Sequence, residues 1–239
     1  MIEKEFDYYN LELTHDNKIL IVTFSRPPVN AFIKECYEEL SEIVNYVNVS
    51  DEITSVLLNS DQKYFSAGAD VKQLKKDEGA PQSVIGDRRT KLRKSWHDLS
   101  TCRVPVVVAV NGGAVGMGAA IAACGDIIIA DENAFLSIPE INIGLVGGAS
   151  SLKRLIPPQK VRTLALTGKK LSVEDIYKYG GIEEVVPSKE LNKVALNYAK
   201  EIADKGYKTI RKWKEAIILT ENSSVSEGAL IESCLSQEL

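Results

Sequence analysis

A single carboxylate among apolar residues near the middle of the sequence is the first candidate for chemistry. Glu140 lies in SIPEINIGLVGG, residues 137 to 148, and is the only charged residue there. Glutamate rarely occupies such surroundings unless it is paired or functional, because burying an unpaired charge is costly. Glu140 is therefore a candidate acid or base. A helix-start carboxylate and a buried ion-pair partner are the non-catalytic alternatives.

Two segments of small residues could supply the backbone groups that such a base would need. Residues 66 to 70 are Ser-Ala-Gly-Ala-Asp, and residues 111 to 118 are Asn-Gly-Gly-Ala-Val-Gly-Met-Gly. Each follows a predicted strand and precedes a predicted helix. The first N–H groups of a helix have no partner inside it, and the helix dipole adds positive charge there. Two such N–H groups aimed at one point would form an oxyanion hole.

Loops of this kind also bind phosphates, or simply let a helix pack closely on a strand. The second loop does not match the dinucleotide motif G-x-G-x-x-G, because Ile121 stands where the third glycine would be. Close packing remains a full alternative for either loop alone. The two loops together with Glu140 favour a catalytic site.

The composition is typical of a soluble globular protein. The 239 residues are 44% hydrophobic and 26% charged, and the net charge of −4 argues against nucleic acid as a partner. Four scattered cysteines without a C-x-x-C pair are typical of reduced, buried thiols in a cytosolic protein. We see no signal peptide, no apolar run that could span a bilayer and no metal-ligand cluster, so we expect a cytoplasmic protein without a metal.

Strands alternate with helices along the chain, which indicates an α/β fold. We expect two strands around a turn at His15, Asp16 and Asn17, and further strands at 54 to 60, 104 to 110, 126 to 130 and 134 to 137. The predicted helices are 33 to 49, 84 to 100, 117 to 124, 147 to 155, 159 to 166 and 189 to 204, with two more in 208 to 237. The strands at 104 to 110 and 126 to 130 are expected in one sheet.

Three segments, in this order, resemble the crotonase superfamily, the enoyl-CoA hydratase/isomerase group: FSAGADVKQL, VNGGAVGMGAAIAACGDIIIADENAFLSIPEINIGL and LTGKKLSVEDIYKYGGIEEVVP. RPPVNAF is similar to the first CoA-side loop of that family. The resemblance implies a spiral of ββα units with a helical C-terminal trimerisation region. It also implies an acyl-CoA thioester substrate, with coenzyme A as part of the substrate and no separate cofactor, and a homotrimer or homohexamer. We place the core in residues 1 to 190 and a helical, shortened C-terminal region of the same domain in residues 191 to 239.

The resemblance also implies roles for single residues. The oxyanion hole would come from the backbone N–H groups of Ala69 and Met117, and Glu140 stands where the family places its second catalytic glutamate. The adenine end of coenzyme A would lie beside residues 67 to 71, and Lys72 would meet a phosphate unless it is merely solvated. The expected substrate-binding residues are Ala67, Gly68, Asp70, Val71, Lys72 and Gly116. Asp70 is also well placed to cap a helix, and Asp126 is expected to hold backbone.

One departure from the family pattern bears on the reaction: Ala120 stands where hydratases carry their first catalytic glutamate. Met117 replaces a common glycine, and Gly113 stands where a larger residue is usual. A lone Glu140 suits a reaction in which one base moves one proton from C2 to C4 of a 3-enoyl-CoA. We expect Ser137, Ile138, Ile141 and Ile143 to form an apolar wall that raises the pKa of Glu140.

The best supported activity is therefore a Δ3,Δ2-enoyl-CoA isomerase. An enoyl-CoA hydratase, or a related lyase or decarboxylase, is the alternative, with Glu140 acting together with water. A protein that binds CoA thioesters without catalysis is the second alternative. Nothing in the sequence indicates the acyl chain.

Overall fold

A computed structural model of the chain describes residues 5 to 16, 18 to 76 and 79 to 239. Asn17 of the predicted turn and the first four residues of the predicted core lie outside these ranges. Within them, no helix is long and apolar enough to cross a membrane.

The larger sheet has six strands, which lie side by side in this order: β1 (Tyr9–Thr14), β2 (Ile19–Phe24), β4 (Ser55–Ser60), β6 (Val106–Val110), β8 (Ile127–Asp131) and β11 (Glu184–Val186). β1 is antiparallel to β2, and the other neighbouring pairs are parallel. All five residues of β6 are fully buried, as expected for a parallel strand covered on both faces. Val107 pairs with Ile127, which confirms that the two predicted apolar strands are neighbours in one sheet.

Five short strands form two smaller sheets: β3 (Ala31–Phe32), β5 (Gly68–Ala69), β7 (Gly113–Val115), β9 (Phe135–Ser137) and β10 (Lys170–Ser172). β3 pairs with β5, and β9 lies between β7 and β10. In succession, β4, β6 and β8 of the large sheet are each followed by a short strand of a small one. This repeat confirms the expected spiral of ββα units. Among the short strands only β9 was predicted, because two or three residues are too few to show a period.

The helices are α1 (Lys34–Val49), α2 (Val71–Lys76), α3 (Gln82–Ser100), α4 (Met117–Ala122), α5 (Ala149–Leu152), α6 (Pro158–Thr167), α7 (Val173–Lys178), α8 (Leu191–Ala203), α9 (Tyr207–Thr220) and α10 (Val225–Ser236). Most lie within a few residues of their predicted positions. The helix predicted at 147 to 155 is the exception, since α5 has four residues. Gly148, just before α5, has a left-handed backbone conformation. The turn that follows α5 is tighter than an α-helical turn, because the Leu155 N–H donates to the Leu152 carbonyl.

The C-terminal helices are attached to the rest of the chain by buried polar contacts. The Lys214 ammonium on α9, only 1% exposed, binds both carboxylate oxygens of Asp126. Asp126 also accepts the Val106 N–H at 2.8 Å, so it holds backbone as predicted. Three cysteines are buried as expected, but Cys234 on α10 is exposed, because α10 packs mainly on α9 and leaves its other side open.

Candidate active site

The two small-residue loops meet backbone against backbone at Gly68. Its φ is +86°, in the region that favours glycine. A Cβ atom at Gly68 would lie 2.7 Å from the Val115 carbonyl oxygen and 3.6 Å from the Met117 nitrogen. Only a residue without a side chain fits here without displacing backbone. The two loops are therefore in direct contact at the residues that sequence analysis selected.

The N–H groups of Ala69 and Met117 are both turned away from regular secondary structure. Met117 is the first residue of α4, where an N–H has no partner within the helix. Asp70 N–H donates to the Phe32 carbonyl, so alternation along the parallel β3–β5 pair turns Ala69 N–H away from β3. At Ser66, the opposite side of this segment is occupied by the second loop. The structure thus brings the two predicted donors onto adjoining segments.

Glu140 lies directly against the second loop. It belongs to a short 3₁₀ helix, Pro139–Ile143, and a Cβ atom on Gly116 would stand 2.6 Å from its Oε1 atom. The Gly116 N–H donates to the Ser137 carbonyl at 2.8 Å, which holds the two segments in register. Gly116 therefore leaves the space that this carboxylate fills. The carboxylate of Glu140 thus lies against Gly116, the residue immediately before Met117, whose N–H is one of the two predicted donors.

The surroundings of Glu140 raise the pKa of its carboxyl and leave one of its oxygens without a partner among the described residues. Burial raises the pKa of its carboxyl above the ordinary value of 4.5, and a hydrogen bond from its own backbone N–H offsets part of that rise. Its Oε2 atom is buried without a hydrogen-bond partner among the described residues. No neighbouring charge contributes to the shift in pKa, which argues against the ion-pair alternative.

Three aspartates near the loops, in contrast to Glu140, have carboxylate oxygens that accept hydrogen bonds or form ion pairs. Asp126 is bound to Lys214 and Val106, as described above. Asp131 accepts the N–H groups of Gly112 and Asn133. The third, Asp70, is considered below with the CoA-side residues. Glu140 differs from all three, since one of its oxygens has neither a cation nor an N–H group to bind within the part of the chain that the structure describes.

The predicted apolar wall is only half correct. Ser137 and Ile138 are buried, but Ile141 and Ile143 are 44% and 55% exposed. The tight 3₁₀ turn places these two side chains on its outer side, so they cannot shield Glu140 within one chain. The close approach of Gly116 contributes to its burial instead.

Two departures from the family pattern have clear structural consequences. A side chain at Gly113 would collide with the rings of Tyr64 and Phe135, at 2.6 and 2.8 Å, so these rings occupy the room of the usual larger residue. Ala120 is buried in α4, and none of the six residues of that helix is acidic. Position 120 therefore offers no second carboxylate.

The residues expected beside coenzyme A lie at the start of α2. Asp70 caps this helix as predicted, since its Oδ1 accepts the N–H groups of Lys72 and Gln73 at 2.9 and 3.3 Å. Its Oδ2 pairs with the Arg26 guanidinium at 3.0 Å. Burial alone would raise the pKa of Asp70, but these partners outweigh it and lower the pKa. Asp70 is thus a capping residue whose oxygens are engaged.

Of the other residues expected beside coenzyme A, Ala67 is held by a backbone hydrogen bond, and two lie on the surface. Ala67 N–H donates to the Val29 carbonyl at 2.9 Å, which anchors the loop to RPPVNAF. Val71 and Lys72 are exposed. Sequence analysis missed Arg26, Asn30 and Ser66, which connect the two segments. Their only signal was that RPPVNAF resembled a CoA-side loop.

Comparison with known proteins shows the family of the chain. Residues 14 to 236 match the family model described as enoyl-CoA hydratase/isomerase. A Mycobacterium tuberculosis protein named (7aS)-7a-methyl-1,5-dioxo-2,3,5,6,7,7a-hexahydro-1H-indene-carboxyl-CoA hydrolase is 30% identical over 226 residues, which cover 95% of this chain and 91% of the relative. A probable mitochondrial enoyl-CoA hydratase of Dictyostelium discoideum is 34% identical over 219 residues, 90% of this chain and 77% of the relative.

Among solved structures, an enoyl-CoA hydratase from Bacillus anthracis superposes with a TM-score of 0.89 at 25% identity, over 97% of this chain and 90% of that one. The family model spans nearly the whole chain, including both small-residue loops and Glu140. The chain therefore belongs to the enoyl-CoA hydratase/isomerase family.

Proposed function

We propose that the protein is an acyl-CoA enzyme that works through an enolate, and that its reaction is the Δ3,Δ2 isomerisation of an enoyl-CoA. One observation carries this proposal. Glu140 has a buried carboxylate oxygen without a partner among the described residues, beside the loop that presents the Met117 N–H. Ala120 leaves α4 without an acid, so a one-base reaction suits this site better than a two-carboxylate hydration.

In the proposed reaction the thioester oxygen accepts hydrogen bonds from the N–H groups of Ala69 and Met117. Glu140 takes a proton from C2, and the electrons of the broken C2–H bond move into the thioester and the adjoining double bond. The resulting dienolate has its negative charge on the thioester oxygen. The same carboxyl then returns the proton at C4, so the double bond moves from C3–C4 to C2–C3. Removing one donor from such a hole costs about 10²- to 10³-fold in kcat.

The raised pKa of Glu140 suits both halves of this cycle. A base must be ionised to accept the proton, and a stronger conjugate base accepts it more readily. The protonated carboxyl must survive long enough to deliver the proton to C4. Burial without a neighbouring cation favours the neutral form and so supports this second step.

We propose that coenzyme A lies along Ala67, Gly68 and Val71, with Lys72 beside a phosphate. Val71 and Lys72 are exposed at the start of α2, where a ligand can reach them. Asp70 supports this surface by capping the helix and does not itself meet the ligand, because both of its oxygens are engaged.

The relatives favour a second candidate, in which water takes part. The similar protein of Mycobacterium tuberculosis is named a CoA hydrolase, and that of Dictyostelium discoideum a probable hydratase. In that case Glu140 would activate water, and the same two N–H groups would hold the thioester oxygen.

We also propose that the chain assembles as a homotrimer or homohexamer. Several large apolar side chains are exposed on the single chain, both after Glu140 and on the C-terminal helices: Ile141, Ile143, Leu145, Val146, Ile217, Leu219 and Leu230. Exposed apolar side chains in such numbers suit an interface with another copy of the chain, because contiguous apolar patches mark interaction sites.

Incubation with two substrates separates the candidates. Conversion of a 3-enoyl-CoA to its conjugated 2-enoyl isomer, followed by ultraviolet absorbance, supports the isomerase. Formation of 3-hydroxyacyl-CoA from a 2-enoyl-CoA supports the water-dependent reaction. Binding of both thioesters without any product contradicts both and leaves a binding protein. Glu140→Gln serves as the control, since product that persists in this variant does not come from the proposed base.

A further inference from the structure

Ser66 lies where three segments of the proposed site meet, and its hydroxyl is fully engaged. It is completely buried. Its Oγ donates to the Asn30 carbonyl at 2.6 Å and accepts the Gly68 N–H at 3.1 Å. The hydroxyl thus joins RPPVNAF to the peptide between Ala67 and Gly68, which is one peptide before the Ala69 N–H group. Sequence analysis treated Ser66 only as the first small residue of its loop.

The backbone of Ser66 is tied just as firmly to the second loop. Its N–H donates to the Gly113 carbonyl at 3.1 Å, and its carbonyl accepts the Val115 N–H at 2.9 Å. A Cβ atom on Gly118 would lie 2.7 Å from the Ser66 Cβ and 3.0 Å from its Oγ, so the first turn of α4 rests directly on this side chain. Ser66 therefore touches the supports of both proposed donors.

The partner of this hydroxyl is itself immobilised. Asn30 is completely buried and has a φ of +50°. Its side-chain amide donates to the Phe24 carbonyl at 3.0 Å and to Ser60 Oγ at 2.7 Å, and its Oδ1 accepts the Arg26 N–H at 2.6 Å. An asparagine held at both ends of its side chain keeps its own carbonyl in place. The Ser66 hydroxyl is therefore attached to a fixed point.

We propose that Ser66 is a positioning residue that sets the Ala69 N–H relative to the Met117 N–H, an inference that rests on the proposed function. A tilt of the peptide between Ala67 and Gly68 changes the φ of Gly68, which glycine tolerates, and so turns the next peptide with the Ala69 N–H unless the Gly68 N–H is held. The Ser66 hydroxyl holds it. Without that hydroxyl the Ala69 N–H turns away from the thioester oxygen, while the Ser66 backbone still holds the second loop.

The consequence for catalysis is a loss of rate with little loss of binding. A misplaced donor weakens stabilisation of the enolate oxygen, whereas coenzyme A contacts elsewhere are unchanged. A misplacement of about 1 Å costs on the order of 10²-fold in rate. We therefore expect Ser66→Ala to lower kcat by about 10- to 100-fold, with KM changed less than about threefold.

A spectroscopic test reports the donors directly. A thioester carbonyl that accepts strong hydrogen bonds draws electrons from a conjugated acyl chain, so the bound chromophore absorbs at longer wavelength. An aryl-conjugated enoyl-CoA is bound to Glu140→Gln protein, which prevents turnover, and its red shift is compared with that in Glu140→Gln, Ser66→Ala protein. The expected result is a clearly smaller red shift with Ser66→Ala at full occupancy.

Ser55→Ala is the matched control. Ser55 is also a fully buried serine, but its hydroxyl has no partner within the described part of the chain. Its removal is expected to leave kcat and the red shift unchanged. Ser66→Cys is the second variant, because a thiol keeps the volume and a weak hydrogen bond. Should Ser66→Ala fail to fold, Ser66→Cys is expected to give an intermediate shift.

The outcomes distinguish this inference from the function on which it rests. A full red shift and unchanged kcat in folded Ser66→Ala or Ser66→Cys overturn the positioning role alone. If the parental site gives no red shift with the bound thioester, the proposed oxyanion hole itself is wrong. An equal loss of red shift in Ser55→Ala would also overturn the inference, since it would mean that any buried serine has this effect.

Discussion

One buried carboxylate oxygen of Glu140 has no partner among the described residues, at a cost in stability that a purely structural role would not explain. An ionised group buried without a partner destabilises the folded state, and no charge among those described residues shifts the pKa of Glu140. The aspartates around it show that this fold readily engages acidic oxygens when they serve structure. Glu140 and Asp70 thus differ in their partners, since both oxygens of Asp70 are engaged and one oxygen of Glu140 has no partner among the described residues.

Glu140→Gln is expected to raise stability near pH 7. The pKa of Glu140 is raised in the folded state, so stability is lost as pH rises from the unfolded value of about 4.5 to the folded pKa, whereas below the unfolded value both states are protonated. The gain in Tm should therefore vanish near pH 4, grow as pH rises above 4.5 and stay constant above the folded pKa, at about 2–4 °C for each kcal/mol removed. Thermal unfolding between pH 4 and 8 measures this. The exposed Glu132→Gln is the control, and a lower Tm for Glu140→Gln at pH 7 would reveal a structural role.

At the scale of elements, the site depends on close backbone approach between loops that follow neighbouring strands. The pattern of a strand, then small residues, then a helix was visible in the sequence, because strands and helices of this length show apolar periodicity over many residues. The hydrogen bonds of Ser66 and Arg26 were not, because their partners lie far away in sequence or on another loop. The exposure of Ile141 and Ile143 was also missed, since a 3₁₀ turn of five residues gives no periodic signal in the sequence.

Gly68→Ala is expected to abolish most activity and to destabilise the fold. The left-handed φ of +86° costs about 1–2 kcal/mol for alanine. The new Cβ would also push against the Val115 carbonyl at 2.7 Å and move the two proposed donors apart. Gly180→Ala is the matched control, because Gly180 has a φ of +76° with nothing within 4 Å of its Cβ position. Chemical denaturation and kcat are measured for both; equal effects would mean that contact between the loops does not matter.

Ala120→Glu tests whether an acidic residue in α4 is all that the site lacks for hydration of a 2-enoyl-CoA. A carboxylate at position 120 is expected to introduce or increase hydration of a 2-enoyl-CoA, if the missing partner of Glu140 is what limits that reaction. Release of 3-hydroxyacyl-CoA is the measurement. Ala120→Gln has the same size without an acid and should show no gain. A folded Ala120→Glu protein with no gain in hydration would show that Met117 or the pocket shape, not the missing carboxylate, sets the reaction.

At the scale of the whole molecule, most of the fold is predictable from the sequence, but a single chain leaves several apolar side chains exposed to solvent. Five strands of the large sheet and most helices followed from apolar periodicity, and the family spiral followed from three motifs in order. Apart from β9, the strands of two or three residues, including β11, and the helix α7 did not, because segments of a few residues carry little periodic signal. Ile141 and Ile143, which were expected to line Glu140, are exposed on a single chain, and so are Ile217, Leu219 and Leu230 on α9 and α10.

Sedimentation equilibrium at micromolar concentration is expected to show a trimer or hexamer. Burial of the exposed apolar side chains against another copy would remove them from water, at about 25 cal/mol for each Å² covered. Replacing Ile217 and Leu219, which are about half exposed on α9, with serine should shift the distribution toward monomer if that helix takes part. A parental protein that is monomeric at this concentration would contradict the proposed assembly.

The central claim is that Glu140 is the acid and base of proton transfer, and turnover of a 3-enoyl-CoA by Glu140→Gln tests it most directly. The measurement is kcat at saturating thioester, with the Kd of the thioester determined separately on the same folded protein. General acid–base catalysis contributes about 10²- to 10⁴-fold, so we expect a loss of at least that size with a nearly unchanged Kd. Turnover at the parental rate by the folded variant would contradict the claim.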